Sequence, residues 1–273
     1  MNNRLKLLCI LAHPDDESLG MGGTLAKYAA EGIETYLLTA TRGERGRFGT
    51  SKESPGLEVV GRVREAELRA AAKELGVHEV TFLDYIDGNL DRAIPGEILA
   101  KISRHIRKIK PQVVVTFGPE GGYGHPDHIA ISQFATAAIV GAASTNGSGA
   151  AGAASPQESC AVSKLYYMAW SGKKWAAYQA ALRDLKTTVD GVERRASPWP
   201  EWAITTFVDT SAYWPTVWRA VSCHRTQMEI YSQLEHLPEE HHRSIWGTQE
   251  YYRVFSTVNG GRVRENDLFD GLR

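Results

Sequence analysis

The chain has 273 residues, 42% hydrophobic and 23% charged, which suits one large globular domain or two small ones and excludes a disordered chain. Lys plus Arg count 31 against 32 Asp plus Glu, and this net charge of -1 leaves no overall field for nucleic acid or an acidic membrane surface. Cys9, Cys160 and Cys223 form no C-x-x-C pair, which excludes a disulfide framework and a thiolate zinc site and fits a reducing compartment. The apolar run after Arg4 and Lys6 is shorter than a signal-peptide core, and no stretch approaches the ~20 apolar residues of a membrane span. A cytoplasmic protein with neither nucleic-acid nor membrane partners is expected.

Leu5 to Ala12 is a continuous apolar run and reads as a strand buried on both faces. Ser18 to Ala30 has helical spacing and ends at Gly32, and Glu34 to Thr41 is the next strand. After a polar, Gly-rich loop from Arg42 to Gly56 come a helix over Glu58 to Leu75, a strand over Glu79 to Leu83 and a helix over Ile94 to Ile109. Gln112 to Phe117 gives a fourth strand and Ile129 to Val140 a further helix. This alternation predicts an α/β fold, a Rossmann-like, mostly parallel sheet with helices on both faces, with its core in residues 1–140. Residues 141–161 hold an Ala/Gly/Ser-rich insert with the composition of a mobile loop. Residues 162–273 read as a C-terminal extension of the same single domain, with strands over Lys164 to Trp170 and Ala203 to Val208. Helices are expected there over Lys173 to Leu185 and Tyr213 to Leu234. All seven Trp lie between Trp170 and Trp246, a pattern for core packing or a subunit interface, and a homo-oligomer is expected.

Each of the first four strands ends in a polar cluster: His13-Pro14-Asp15-Asp16-Glu17, Thr41-Arg42-Gly43-Glu44, Asp84 with Asp87, and Glu120 through His128. Right-handed crossovers and strand order 3-2-1-4 would make strands one and four neighbours at the switch point, where open α/β sheets bind ligands. The two His-Pro-Asp motifs would then face each other. His13, Asp16 and His128 match the three-ligand set of a catalytic zinc site with water in the open position. Asp15 is left beside the metal to take a proton from that water, and His125 can sit opposite as an imidazolium for the oxyanion or leaving amine. Acids at a helix start also serve as caps, but capping does not explain two such motifs after different strands.

Ala12-His13-Pro14-Asp15-Asp16-Glu17, followed by Gly22-Gly23, resembles the first signature of the LmbE/PIG-L family of zinc-dependent de-N-acetylases. Gly121-Gly122-Tyr123-Gly124-His125-Pro126-Asp127-His128 resembles the second, and Thr41-Arg42-Gly43-Glu44 its T-x-G-E segment. Arg64 with Glu67 is similar to the opening of the family's second helix, and His224-Arg225-Thr226-Gln227 to a segment of the branch acting on mycothiol and its conjugates. The resemblance implies His13, Asp16 and His128 as ligands of Zn2+, which Fe2+ or another divalent ion can replace. It implies Asp15 as general base, His125 as electrophile or general acid oriented by Asp127, and Tyr123 as an aid to the oxyanion. Glu44, Arg64 and Asp87 are assigned to the substrate, an N-acetylated amino sugar or its glycoside that would lose acetate. The rival reading is a binding protein that holds a sugar or nucleotide in the same cleft; a carboxylate to spare beside the metal argues against it.

Gly20-Met21-Gly22-Gly23 lacks the third Gly of a dinucleotide fingerprint, since Leu25 stands there, and reads as a close approach of helix to sheet. His236, His241 and His242 flank Pro238-Glu239-Glu240 and read as a solvated turn.

Overall fold

The computed structural model describes residues 4–143, 160–182, 186–261 and 263–273. In its first half, β1 (Lys6–Leu11), α1 (Asp16–Ala30), β2 (Glu34–Thr41), α2 (Leu57–Glu74), β3 (Glu79–Tyr85), α3 (Pro95–Ile109) and β4 (Val113–Phe117) alternate as the sequence predicts. A single turn, α4 (Gly121–Gly124), then leads into α5 (Pro126–Ala143). The second half adds β5 (Lys164–Met168), α6 (Gly172–Leu182), a hairpin of β6 (Lys186–Val189) and β7 (Val192–Arg195), and β8 (Thr206–Asp209). It closes with α7 (Trp214–Val221), α8 (Met228–Glu235), α9 (Glu239–Trp246) and β9 (Thr248–Ser256). The main sheet runs β3-β2-β1-β4-β5-β9-β8. Its first five strands are parallel, and β9 is antiparallel to both of its neighbours.

Buried central strands explain the apolar runs. Leu7 through Leu11 and Val113 through Val115 are fully buried, each worth roughly 1.5–3 kcal/mol for a large side chain. The strand order reverses between β1 and β4, so α1 and α2 pack on one face with α7, and α3 and α5 pack together on the other. Gly20 and Gly23 let α1 come close. A Cβ on Gly23 would lie 2.7 Å from Thr210 Cβ, and one on Gly20 2.9 Å from Met168 Sδ.

Several expectations for the C-terminal half need correction. The helix expected over Tyr213 to Leu234 is two helices, because the backbone leaves helical geometry at His224 (φ -79, ψ 61), whose imidazole turns inward to Glu17. Of the histidines near Pro238, His236 and His241 are exposed as expected, but His242 is not. Pro238 and two acids start α9, and His242 is buried, stacked on Trp214 at 5.0 Å. The β6–β7 hairpin turns at Asp190-Gly191, both with positive φ, a sequence signal for a tight hairpin that the reading of periodicity passed over. The low-complexity insert falls almost wholly on residues 144–159, outside the described residues. No helix among the described residues is long and apolar enough to cross a membrane.

A second apolar cluster, including Trp175, Tyr178, Val217, Tyr231, Leu234 and Trp246, joins α6 through α9, and Leu19 and Tyr123 pack against it. The chain end is fastened separately. Glu265 accepts from Lys164 Nζ at 2.7 Å, Arg253 Nη1 at 2.6 Å and Tyr166 Oη at 2.8 Å, all deep against β5. Burial opposes its charge, but hydrogen bonds from Lys164, Asn259, Tyr166 and Thr206 hold its carboxyl down at about 2. The stability from this depressed pKa is present above the ordinary carboxylate range and is lost as pH falls from about 4.5 through about 2. Glu265→Gln should cost about 3–5 kcal/mol by leaving Lys164 buried and unpaired, and should flatten the acid limb of stability. Thermal unfolding of both proteins from pH 7 to pH 2 checks this; equal melting temperatures throughout would refute it.

Candidate active site

The carboxyl ends of β1 and β4 meet at the switch point, as the sequence order required. The loop after β1 carries His13, Asp15 and Asp16; the turn after β4 carries Tyr123, His125, Asp127 and His128. His13 Nδ1 lies 3.1 Å from His128 Nε2, Asp16 Oδ1 lies 3.4 Å from His128 Nε2, and Asp16 Oδ2 lies 3.9 Å from His13 Nδ1. Zinc ligands at ~2.0–2.1 Å in tetrahedral array stand about 3.3 Å apart; two of these separations lie near that value, while the third, to the other Asp16 oxygen, is longer. His13, His125 and His128, and His13, Asp87 and Asp127, each bring ligand atoms within 4.8 Å of one another.

The hydrogen bonds behind these atoms fit a metal as well. His128 Nδ1 faces the Gly121 carbonyl at 3.2 Å, which keeps the proton there and leaves a lone pair on Nε2. His13 Nε2 is 3.1 Å from both Asp127 Oδ2 and Asp87 Oδ1, which frees Nδ1. Carboxylates behind a ligating imidazole fix its tautomer and raise its basicity. Burial works against a charged His13, yet Asp127, Asp87 and Asp16 hold its pKa well above the ordinary value. Burial and the charge on His13 drive His128 well below it. Burial also pushes the Asp16 carboxyl up to about 7.

Asp15 sits beside this set with φ 101, a left-handed conformation that costs a non-glycine residue energy and is found where a site over-determines it. Its N–H donates to Glu17 Oε2 at 2.9 Å. Its carboxylate accepts from Arg64 Nη2 at 3.1 Å and from Tyr231 Oη at 2.8 Å, both on Oδ2. Arg64 is buried in α2 and also reaches the carbonyls of Pro14 and Gly43. A Cβ on Gly43 would lie 2.1 Å from Arg64 Nη1, so the Gly of Thr41-Arg42-Gly43-Glu44 makes room for this guanidinium.

The remaining residues singled out from sequence are held as follows. Asp127 does not turn its carboxylate to His125: it bonds His13, Gly88 N at 2.7 Å and Leu90 N at 3.1 Å, and only its backbone N–H reaches His125 Nδ1, at 3.2 Å. Asp87, assigned to substrate, lines the cavity, with Oδ1 on His13 Nε2 and Oδ2 accepting from Arg45 N. Glu44 is buried and accepts from Asp87 N at 3.1 Å; it borders a separate groove of about 730 Å3 along α2, which contains no histidine. Arg64 lines the cavity but spends its donors on Asp15 and two carbonyls. Burial, and then the charge on His13, push the His125 pKa down to about 4. With Nδ1 accepting from Asp127 N, the neutral ring carries its proton on Nε2.

A cavity of about 440 Å3 opens over these groups. His125 and Tyr123 line it with Asp15, while Trp170, Tyr178 and Ile230 form an apolar wall. Among the described residues the Tyr123 hydroxyl has no hydrogen-bond partner, and its ring stands edge-on to His128 at 5.3 Å. Sequence reasoning missed Tyr231 on Asp15, and also the buried pair of Glu17 with His224 at 2.8 Å. Their partners lie more than 200 positions away, with no local signal. Thr226 N and Oγ1 likewise bind Glu67 at 2.8 and 2.7 Å.

The family described as PIG-L: GlcNAc-PI de-N-acetylase matches residues 8–139, the stretch that holds both signature loops. A 1D-myo-inositol 2-acetamido-2-deoxy-alpha-D-glucopyranoside deacetylase of Kineococcus radiotolerans is 34% identical over 98% of this chain and 83% of its own. A mycothiol S-conjugate amidase of Streptomyces coelicolor is 29% identical over 100% of this chain and 99% of its own. The fold is shared with N,N'-diacetylchitobiose deacetylase from Pyrococcus horikoshii, with a TM-score of 0.66 and 22% identity over 92% of this chain and 84% of that one. With its signature loops converging at one switch point and its length matched by these relatives, the chain belongs to the PIG-L family, the LmbE-like de-N-acetylases.

Proposed function

We propose that this protein is a metal-dependent hydrolase that removes the N-acetyl group from an N-acetylglucosamine derivative carried as a glycoside. The observation that carries the reading is the convergence of His13 Nδ1, His128 Nε2 and Asp16 beside an Asp15 carboxylate that faces the cavity. The deacetylase relative named for an acetamido-glucopyranoside of inositol supports the substrate class. Zn2+ is the ion proposed, with Fe2+ as its alternative; when bound, the ion supplies Lewis acidity toward the amide carbonyl and eases ionisation of the attacking water.

The residues of the chain do the rest. Asp15 accepts the proton that the water loses as it adds to the amide carbon. His125 offers Nε2–H, and Tyr123 its free hydroxyl, to the oxygen on which negative charge develops. Cleavage of the C–N bond returns the proton from Asp15 to the departing nitrogen, so that acetate and a free amine leave. The aromatic wall of Trp170 and Tyr178 gives the sugar an apolar face to stack upon and keeps bulk water from the reacting carbon. Asp127 and Asp87 hold His13 in the tautomer that ligates, and Asp87 also lines the cavity that takes the sugar.

Amine release from N-acetylglucosamine glycosides, with and without a chelator, tests the reading. Wild type should turn over and lose activity on chelation; no release from any of them would reject it. Elemental analysis should find about one divalent ion per chain, lost in His13→Ala and His128→Ala. Asp127→Asn should weaken metal affinity by about 10–100-fold, as loss of a carboxylate behind a ligand does. If Asp127 instead oriented His125, this variant would keep full metal and lose only turnover. Asp15→Asn should keep its metal and lose about 10²–10⁴ in kcat. Near-normal turnover in metal-replete Asp15→Asn would remove Asp15 from the role of base.

A further inference from the structure

Tyr231 lies on α8, 216 residues from Asp15, and its hydroxyl donates to Asp15 Oδ2 at 2.8 Å. Arg64 Nη2 donates to the same oxygen at 3.1 Å, and among the described residues no donor is bonded to Oδ1. The ring is buried in the second apolar cluster, so packing rather than chance rotation fixes the direction of the hydroxyl. A phenol remains protonated at neutral pH, and burial next to Asp15 raises its pKa further, so it stays a donor. Without such contacts the carboxylate would swing about a broad terminal torsion. A general base needs one oxygen held within hydrogen-bond reach of the proton it takes.

We propose that Tyr231 is a positioning residue for the hydrolysis: together with Arg64 it occupies Oδ2 of Asp15 and so presents Oδ1 to the proton that the attacking water gives up. The inference rests on the proposed reading, in which Asp15 is the base, and adds to it a group that acts only through Asp15. The segment that brings Tyr231 there is fastened independently. His224 bonds Glu17, Thr226 bonds Glu67, and Gln227 Nε2 donates to the Arg47 carbonyl at 2.7 Å. Tyr231→Phe therefore removes one hydroxyl from a helix that three other contacts keep in place, and Arg64 still pairs with Asp15.

The test is a double-mutant cycle on kcat and KM with an N-acetylglucosamine glycoside, using wild type, Tyr231→Phe, Asp15→Asn and the double variant, with metal content measured for all four. Tyr231→Phe should lower kcat roughly 10- to 100-fold, the scale of one lost hydrogen bond to a charged group, with KM and metal content unchanged. In the Asp15→Asn background the same substitution should change residual kcat by no more than about twofold, because the group it positions is already disabled. A structural role elsewhere in the cavity would give equal losses in both backgrounds, and that result overturns the proposal. Unchanged kcat in Tyr231→Phe does so as well. A wild type that releases no amine from any such glycoside rejects the hydrolase reading itself, and the inference with it. An active wild type without coupling rejects the role of Tyr231 alone.

Discussion

The parallel pairing of β1 with β4 is the constraint on which the site depends. Leu7, Leu8 and Cys9 stand opposite Val113, Val114 and Val115, all fully buried. A slip of one residue in this register would move one loop past the other by about 3.3 Å. That distance is as large as the separations of 3.1 and 3.4 Å between the donors of His13, His128 and Asp16, so a slip would dismantle the set. It would also turn the apolar side chains of a two-sided core strand to the opposite faces. Core packing thus sets the geometry of the polar groups above it, with no polar group needed to specify the register.

Concentrating charge at that point has a cost which neighbouring groups only partly offset. Asp15, Asp16, Asp87 and Asp127 gather within reach of three imidazoles, and burial, with the charges of Asp15 and Glu17 added, raises the Asp16 carboxyl to about 7 despite His13. Asp127 is stabilised by the backbone N–H groups of Gly88 and Leu90, and Asp15 by Arg64 and Tyr231. Asp16 has the backbone N–H groups of His13 and Ala12 on Oδ2, while Oδ1 faces His128. Among the described residues no backbone N–H reaches the Asp16 Oδ1 that faces His128. A site of that kind gives up stability in exchange for function.

Most of the sheet was legible because its strands are apolar runs and its helices amphipathic, a pattern that survives in one dimension. That His13, Asp16 and His128 come together was legible because two short motifs carry them, each in the connection that follows one of two adjacent strands. What lay beyond reach was decided by long-range packing. Nothing local marks Tyr231 as a partner of Asp15 or His224 as a partner of Glu17, and the break in the helix between them follows from that second contact. Asp127 is a different case: the family resemblance implied that it orients His125. At the start of α5, however, the two side chains diverge, and the carboxylate turns toward His13 and the loop after β3. β9 was missed because its polar and aromatic residues look unlike a sheet interior, although it lies between β5 and β8.

The cavity wall and Asp15, the base of the proposed reaction, share one support, and under that reading specificity is tied to catalysis. Ile230 and Gln227 line the cavity from the same segment that delivers Tyr231 to Asp15 and His224 to Glu17. Glu17 in turn receives the N–H of Asp15, whose left-handed backbone needs to be held. A change of sequence in residues 224–231 that reshapes the pocket for a different glycoside therefore also shifts the base, through the hydroxyl on one side and the backbone on the other. The two imidazoles are further from this coupling, because His13 leans on Asp87 and Asp127 and His128 on the Gly121 carbonyl, none of them in residues 224–231. Asp16, between Asp15 and Glu17 in the chain, shares it.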